Sequence, residues 1–438
     1  MNIKLVIIFL FSAKIIFSQS LILKNVNVIP INQEITIRGC NVYIRNGKIE
    51  RITPYPEKKE PGKKRMRKEP TAGYTVIDCK GGYLMPGLAD MHTHFPGKDS
   101  PINLQEFLRL NLAAGVTTLR SMRGEYKQLA LRDSINKGIK KNSPEIYVSY
   151  VFPATDSLLS KDSIEKIVSY AVNYKFDFIK YLDGINETNI NYLIESCKRH
   201  DLPVAGHAYG KSLSKSIGLN FASVEHFQPM LSAFMKDSLN FKKTVDSMKT
   251  KKISFCPTLS FYYIYAFNFS QKDLSDRNGM NYIREPVRKT WLTEYNEALE
   301  NTRGRLKQDF EARFVEAYRQ TFLKFGKILK YISDNGVNVL LSPDDCIFNV
   351  PGFSMYEEMK LYKNAGLSNY QVLKCATLNA AKYFKAEKIW GSIEIGKKAN
   401  MVLLNANPLE NIENIKQIEG TLLNGKYYLK TDLVKENK

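Results

Sequence analysis

No two of the six cysteines stand close together: Cys40, Cys79, Cys197, Cys256, Cys346 and Cys375 are scattered, with no CxxC or other clustered spacing. That argues against a cysteine-held zinc and against a disulfide-dense scaffold, leaving room for one or two bridges that the sequence does not pair. Histidine is scarcer, with five in 438 residues. Long apolar runs are missing beyond the first 20 residues, and a bilayer span takes roughly 20 consecutive apolar positions. Acidic charge is in deficit, 44 Asp+Glu against 64 Lys+Arg, for a formal net charge of +20. A basic excess steers anionic partners, but here it is spread thinly apart from the run Lys58–Lys68 (KKEPGKKRMRK). Proline and glycine interrupt that run and no aromatic interleaves for base stacking, so it reads as a solvated loop and no nucleic-acid partner is expected.

What is present starts with the leader MNIKLVIIFLFSAKIIFSQS, where Lys4 precedes the apolar stretch Leu5–Phe11 and small residues follow at Ser12, Ala13, Ser18 and Ser20. This is the pattern of a secretory signal peptide over residues 1–20. Lys14 breaks the apolar stretch, so no stable membrane span is expected, and the mature chain is expected to be soluble and exported, periplasmic or secreted. An apolar share of 44% supplies a sizeable core.

Residues 21–83 alternate apolar and polar positions and carry a turn dipeptide at Asn46-Gly47; residues 391–432 do the same, with Asn424-Gly425. Alternation around Asn-Gly predicts short antiparallel strands, hence one small β-sandwich domain built from both chain ends. Residues 84–390 read differently, as strand-like runs separated by helical patterns. Eight runs qualify: Leu84–Met91, Val116–Ser121, Glu145–Tyr150, Phe176–Tyr181, Pro203–His207, Ser223–Phe227, Ile253–Leu259 and Val337–Ser342. Helices are predicted over Lys161–Tyr174 and Glu187–His200, and an S-x-x-Q capping box, Ser368 to Gln371, opens a later one. Eight βα units in about 250 residues predict an α/β fold, a (β/α)8 TIM barrel. The segment Tyr262–Arg319 is a helical insertion, read as either an active-site lid or a homo-oligomer contact.

Four of the five histidines, His92, His94, His207 and His226, end predicted strands; His200 ends a helix and reads as a surface or C-cap residue. Positions i and i+2 of a strand share a side, so His92 and His94 can hold one ion, with Asp90 one pleat deeper to orient a ligand histidine. Singly, His207 and His226 would read as core residues. Jointly, four imidazoles at strand ends converge on the face where barrel enzymes keep their chemistry, and imidazole suits zinc and its first-row neighbours. After the eighth run stand Asp344 and Asp345, which face opposite sides; continuing Val339-Leu340-Leu341 favours Asp344 as ligand and proton acceptor. Lys180 ends the fourth run, either reaching solvent from the rim or carrying carbon dioxide as a carbamate that bridges two cations.

These motifs together resemble the amidohydrolase superfamily, in the branch of imidazolonepropionase-like proteins and Xaa-Pro dipeptidases (prolidases). The resemblance rests on residues 86–94 (PGLADMHTH), 115–118 (GVTT), 177–180 (DFIK), 204–208 (VAGHA), 224–226 (VEH), 257–259 (PTL), 376–381 (ATLNAA) and 391–397 (GSIEIGK). It implies that His92, His94 and Asp344 hold the more buried of two divalent ions, most simply zinc, that His207 and His226 hold the outer one, and that Lys180 bridges as carbamate. Three departures stand out: Ser342-Pro343-Asp344 where the family has Gly-Thr-Asp, Tyr209 where a second histidine is common, and Ala399-Asn400 for Ala-Asp. The activity implied is amide hydrolysis, with a dipeptide or N-acyl amino acid as substrate. The alternatives are a mononuclear cyclic-amide hydrolase or deaminase, and an inactive binding protein on the same fold.

Overall fold

This computed structural model describes residues 20–55, 71–140, 142–155, 157–265, 271–306, 316–345 and 347–434. Residues 1–19 of the expected leader, the basic run Lys58–Lys68, Cys346 and parts of the insertion lie outside the described residues. The other five cysteines are free and buried.

Both chain ends join in one eight-stranded sheet, made of β1 (Leu21–Val28), β2 (Ile37–Arg45), β3 (Lys48–Pro54), β4 (Thr75–Asp78), β5 (Tyr83–Pro86), β13 (Met401–Leu404), β14 (Ile418–Leu423) and β15 (Lys426–Leu429). Its order is β15-β14-β13-β5-β1-β2-β3, with β4 also on β1, and it carries its own apolar cluster of Leu23, Val42, Met401, Leu403 and their neighbours. The β2–β3 and β14–β15 hairpins turn on Asn46-Gly47 and Asn424-Gly425, whose positive φ angles (53° and 72°, 50° and 77°) are those the two-residue turn requires. The small β domain expected from both chain ends is this sheet.

The barrel strands are β6 (Leu88–Thr93), β7 (Val116–Ser121), β8 (Glu145–Val151), β9 (Phe178–Tyr181), β10 (Val204–Gly206), β11 (Ser223–Glu225) and β12 (Ser254–Cys256), all parallel and paired in sequence order. The eighth rung is not a regular strand. Residues 337–342 pair with β12 through a Phe255–Val339 bridge, and Met91 N donates to Leu341 O at 3.2 Å, which joins the rung to β6. Pro343 follows directly and has no amide hydrogen to continue a ladder.

The expected strand Leu84–Met91 is two strands, β5 in the end sheet and β6 in the barrel. Gly87 stands between them, its N–H donating to Asn400 O at 2.9 Å, and a Cβ there would lie 2.3 Å from Thr117 Oγ1. Only glycine fits that approach. The predicted helices form as Lys161–Asn173 and Glu187–Arg199, and the Ser368–Gln371 capping box is present, though its helix stops at Cys375 and a second runs Leu378–Tyr383. The insertion is helical at Leu259–Tyr265, Gln271–Ser275 and Glu285–Leu306.

Candidate metal centre

His92 and His94 leave the end of β6 on one side, as their spacing predicts. With His226 after β11 and His207 after β10 they form a row of rings, with centroid separations of 5.5 Å (His94–His92), 4.9 Å (His92–His226) and 5.0 Å (His226–His207). Asp344 faces the row. Its Oδ1 lies 3.4 Å from His94 Nε2 and 3.7 Å from His92 Nε2, and its Oδ2 lies 3.5 Å from His226 Nδ1. Ligand atoms of His92, His94 and Asp344 all fall within 4.8 Å of one another.

The choice between the two aspartates is made by the backbone. Asp344 has φ 64°, a left-handed conformation that costs an ordinary residue roughly 1–3 kcal/mol and that here swings its carboxylate onto the imidazoles. Asp345 is displaced outward, its N–H donating to Asp344 Oδ1 at 2.7 Å. His226 (φ 70°) and Thr258 (φ 51°) share this strained geometry, and the two side chains meet at 2.8 Å between Nδ1 and Oγ1.

The electrostatics favour neutral rings around a charged carboxylate. Burial lowers the His92 imidazole to about 4, and lowers His226 and His207 as well. Burial also works to raise the Asp344 carboxyl, but the His92, His94 and His226 rings outweigh it and hold it well below the usual range. Neutral imidazoles and an ionised carboxylate are the protonation states that bind a cation.

Lys180, next to the last residue of β9, has 1% of its surface exposed, so it does not reach solvent from the rim. Its Nζ has no hydrogen-bond partner among the described residues, and burial lowers the amine to about 8. The enclosed amine lies in the field of the Glu225 and Asp344 carboxylates, close to the imidazole row. His200 caps its helix and meets Glu165 at 2.6 Å, away from the row.

Several groups that hold the site escaped the sequence reading. The expected orienting role of Asp90 is corrected: its Oδ1 accepts from the His92 backbone N–H at 3.2 Å and from the Ser342 hydroxyl, while burial raises its carboxyl to about 6. The His92 ring is held instead by Glu225, whose Oε2 accepts from Nδ1 at 2.9 Å and leaves the Nε2 lone pair facing Asp344. Glu225 is itself clamped by Arg120, Nη2 lying 2.9 Å from both carboxylate oxygens, and both residues are fully buried. Burial raises the Glu225 carboxyl, but Arg120 and His92 outweigh it and keep it ionised. Asp183 accepts from His207 Nδ1 at 2.9 Å, the same arrangement on the outer ring. A glutamate beside His226 and an arginine inside an apolar strand were the available signals. A second trio, His92, Glu225 and Cys256, also lies within 4.8 Å, but Glu225 is engaged by Arg120 and burial keeps the Cys256 thiol protonated.

The amidohydrolase family model matches residues 83–231 and 325–427. An imidazolonepropionase of Thermoplasma acidophilum is 22% identical over 365 residues, covering 78% of this chain and 80% of the relative. Among solved structures, a prolidase from Bifidobacterium longum superposes with a TM-score of 0.69 at 18% identity, covering 94% of this chain and 95% of that one. A Xaa-Pro dipeptidase with bound methionine gives 0.66 at 18% identity, covering 94% of this chain and 100% of the other. These likenesses share the barrel and the companion sheet, and the family match takes in more than half of the sequence. The chain belongs to the amidohydrolase family, metal-dependent hydrolases of carbon–nitrogen bonds.

Proposed function

We propose that this amidohydrolase is binuclear and cleaves the amide bond of a dipeptide, Xaa-Pro or similar, or of an N-acyl amino acid. The observation that carries the reading is the Lys180 amine, enclosed beside the imidazoles with no hydrogen-bond partner among the described residues. As a neutral amine it adds to carbon dioxide: an N–C bond forms, nitrogen releases one proton to solvent, and the carbamate left is an anion with two oxygens for two cations. His92, His94 and Asp344 would hold the more buried ion and His207 and His226 the outer one, with zinc the ion this imidazole-rich set suits best.

Divalent ions bound there lower the pKa of water toward neutrality (roughly 7 on zinc) and polarise a carbonyl oxygen. The protein's own groups supply the rest. Asp344, ionised by its imidazole surroundings, accepts the proton of the attacking water and delivers it to the leaving nitrogen. Glu225 and Asp183 keep the His92 and His207 rings in the tautomer that points Nε2 inward. The prolidase and dipeptidase among the structural relatives support a dipeptide as substrate. The leader supports export, which fractionation of cells expressing the full chain would test.

The sequence relatives favour a second reading, a mononuclear cyclic-amide hydrolase of the imidazolonepropionase type or a deaminase, in which Lys180 carries no bridge. Metal analysis combined with a screen of dipeptides and N-acyl amino acids separates the two. Two ions per chain, one of them lost in Lys180→Ala along with dipeptide hydrolysis, is the expected result. One ion per chain, unchanged in Lys180→Ala, would remove the binuclear reading.

A further inference from the structure

We propose that the chamber beside His94 is a subsite for a positively charged group of the substrate, and that Glu294 on the helical insertion is a specificity-determining residue. The proposal rests on the hydrolytic reading above for where the scissile bond lies, and goes beyond it by naming the charge class of the substrate.

The chamber has a volume of about 460 Å3, within the usual range of small-molecule sites. His94 and Asp345 form one side, and Trp291 and Glu294 of the helix Glu285–Leu306 form the other. Four carboxylates line it, those of Asp90, Asp99, Glu294 and Asp345, against one lysine, Lys98. The chain as a whole runs the other way, with 64 basic residues to 44 acidic. A cavity drawn at random from this composition would be basic, so its acidity is a local feature. Asp90 is engaged by Ser342 and the His92 backbone. The charge offered to a ligand therefore comes from Asp99, Glu294 and Asp345.

The insertion is anchored where it meets the chamber. Trp291 and Tyr295 pack on Phe348 with ring centroids 5.9 and 6.0 Å away, and all three are buried. Just before the helix, Arg284 Nη2 donates to Pro101 O at 2.9 Å and approaches Glu106 at 3.5 Å. The insertion is thereby fixed to both loops that build the chamber, the one after β6 and the one after Asp344. It also lies outside the family match, which stops at residue 231 and resumes at 325. Glu294 stands in the stretch that the family match leaves out, on a helix whose side chains line the chamber. Asp99, Glu294 and Asp345 are solvent-exposed, so water screens their field, and carboxylates of one sign around the opening favour a cation over a neutral group of equal shape by a modest factor and disfavour an anion.

The test uses the metal-loaded full chain with Ala-Arg and Arg-Ala, each beside the dipeptide in which citrulline replaces arginine. Citrulline keeps the length and removes the charge. For at least one pair the arginine dipeptide is expected to show kcat/KM roughly fivefold higher, with the ratio shrinking at about 0.5 M salt. Glu294→Gln should bring the ratio toward one and Glu294→Lys should reverse it, whereas Glu297→Gln on the same helix should keep it. Equilibrium binding of free arginine and free citrulline gives a readout without turnover. If no dipeptide is cleaved yet arginine binds more tightly in a Glu294-dependent way, the dipeptidase reading falls and the subsite stands. Equal rates on both members of each pair, or a ratio that survives Glu294→Gln, overturn the subsite and leave hydrolysis intact. Loss of bound metal in Glu294→Gln also overturns it, by assigning the carboxylate to the ions.

Discussion

The two ends of the barrel are both concave and both charged, but only one of them gathers reactive groups. At the amino ends of β10, β11 and β12 lies a bowl of about 960 Å3 whose wall includes Lys198, Lys251, Lys374 and Lys382. At the carboxyl ends a smaller chamber of about 460 Å3 adjoins the imidazole row, and its charged lining residues are mostly acids. The bowl is larger, yet its lysines mirror the basic surplus of the whole chain. At the other end Asp344, His92, Lys180 and Glu225 are buried, their protonation displaced by one another and by loss of water. The charge of the bowl follows composition; buried titratable groups held against their own solvation mark the chemistry.

The comparison breaks most sharply at Asp344. Asp344→Asn keeps the shape and removes the proton acceptor, so kcat/KM on any cleaved amide is expected to fall roughly 10²- to 10⁴-fold. A loss below tenfold in steady-state assays would mean that the carboxylate facing three imidazoles is not the working group. Next comes Glu225→Ala, which strands the Arg120 guanidinium in the barrel interior and frees the His92 ring. Denaturant unfolding should register a loss of about 3–5 kcal/mol, and metal titration a weakening of about 10- to 100-fold. Wild-type affinity in this variant would show that the ring needs no brace.

Proton linkage gives a smaller effect with a definite sign. In metal-free protein burial lowers Lys180 from 10.5 to about 8, so the unfolded chain binds the proton more tightly and stability rises with pH between those values. Burial also lowers His92 from 6.5 to about 4, so stability is lost as pH falls from 6.5 toward 4. Thermal melts across pH 4–11 check both, and Lys180→Met should flatten the alkaline rise. The smallest effect belongs to the bowl: Lys374→Ala with Lys382→Ala is expected to shift stability by less than about 0.5 kcal/mol and to leave hydrolysis unchanged. A large loss of activity there would erase the contrast between the two ends.

Much of the frame was legible in the sequence. Val116–Ser121 forms the strand its apolar run predicts, the Asn-Gly pairs turn their hairpins, and His92 and His94 share a side because a strand has a period of two. The break at Gly87 was not legible, since it depends on Thr117 and Asn400, far away in the chain. The expectation that Asp90 braces a histidine ring failed for a similar reason. Proximity along β6 suggested it, but the ring took Glu225, 133 residues away, as its partner.

The sequence by itself determined the periodicities, the turn dipeptides and which residue types end the barrel strands, because these depend on neighbours within a few positions. Tertiary structure alone decided that Arg120 clamps Glu225 across 105 residues and that the insertion brings Glu294 to the chamber. Closing a barrel brings together side chains with no local relation, and a buried charge takes whichever partner that closure delivers.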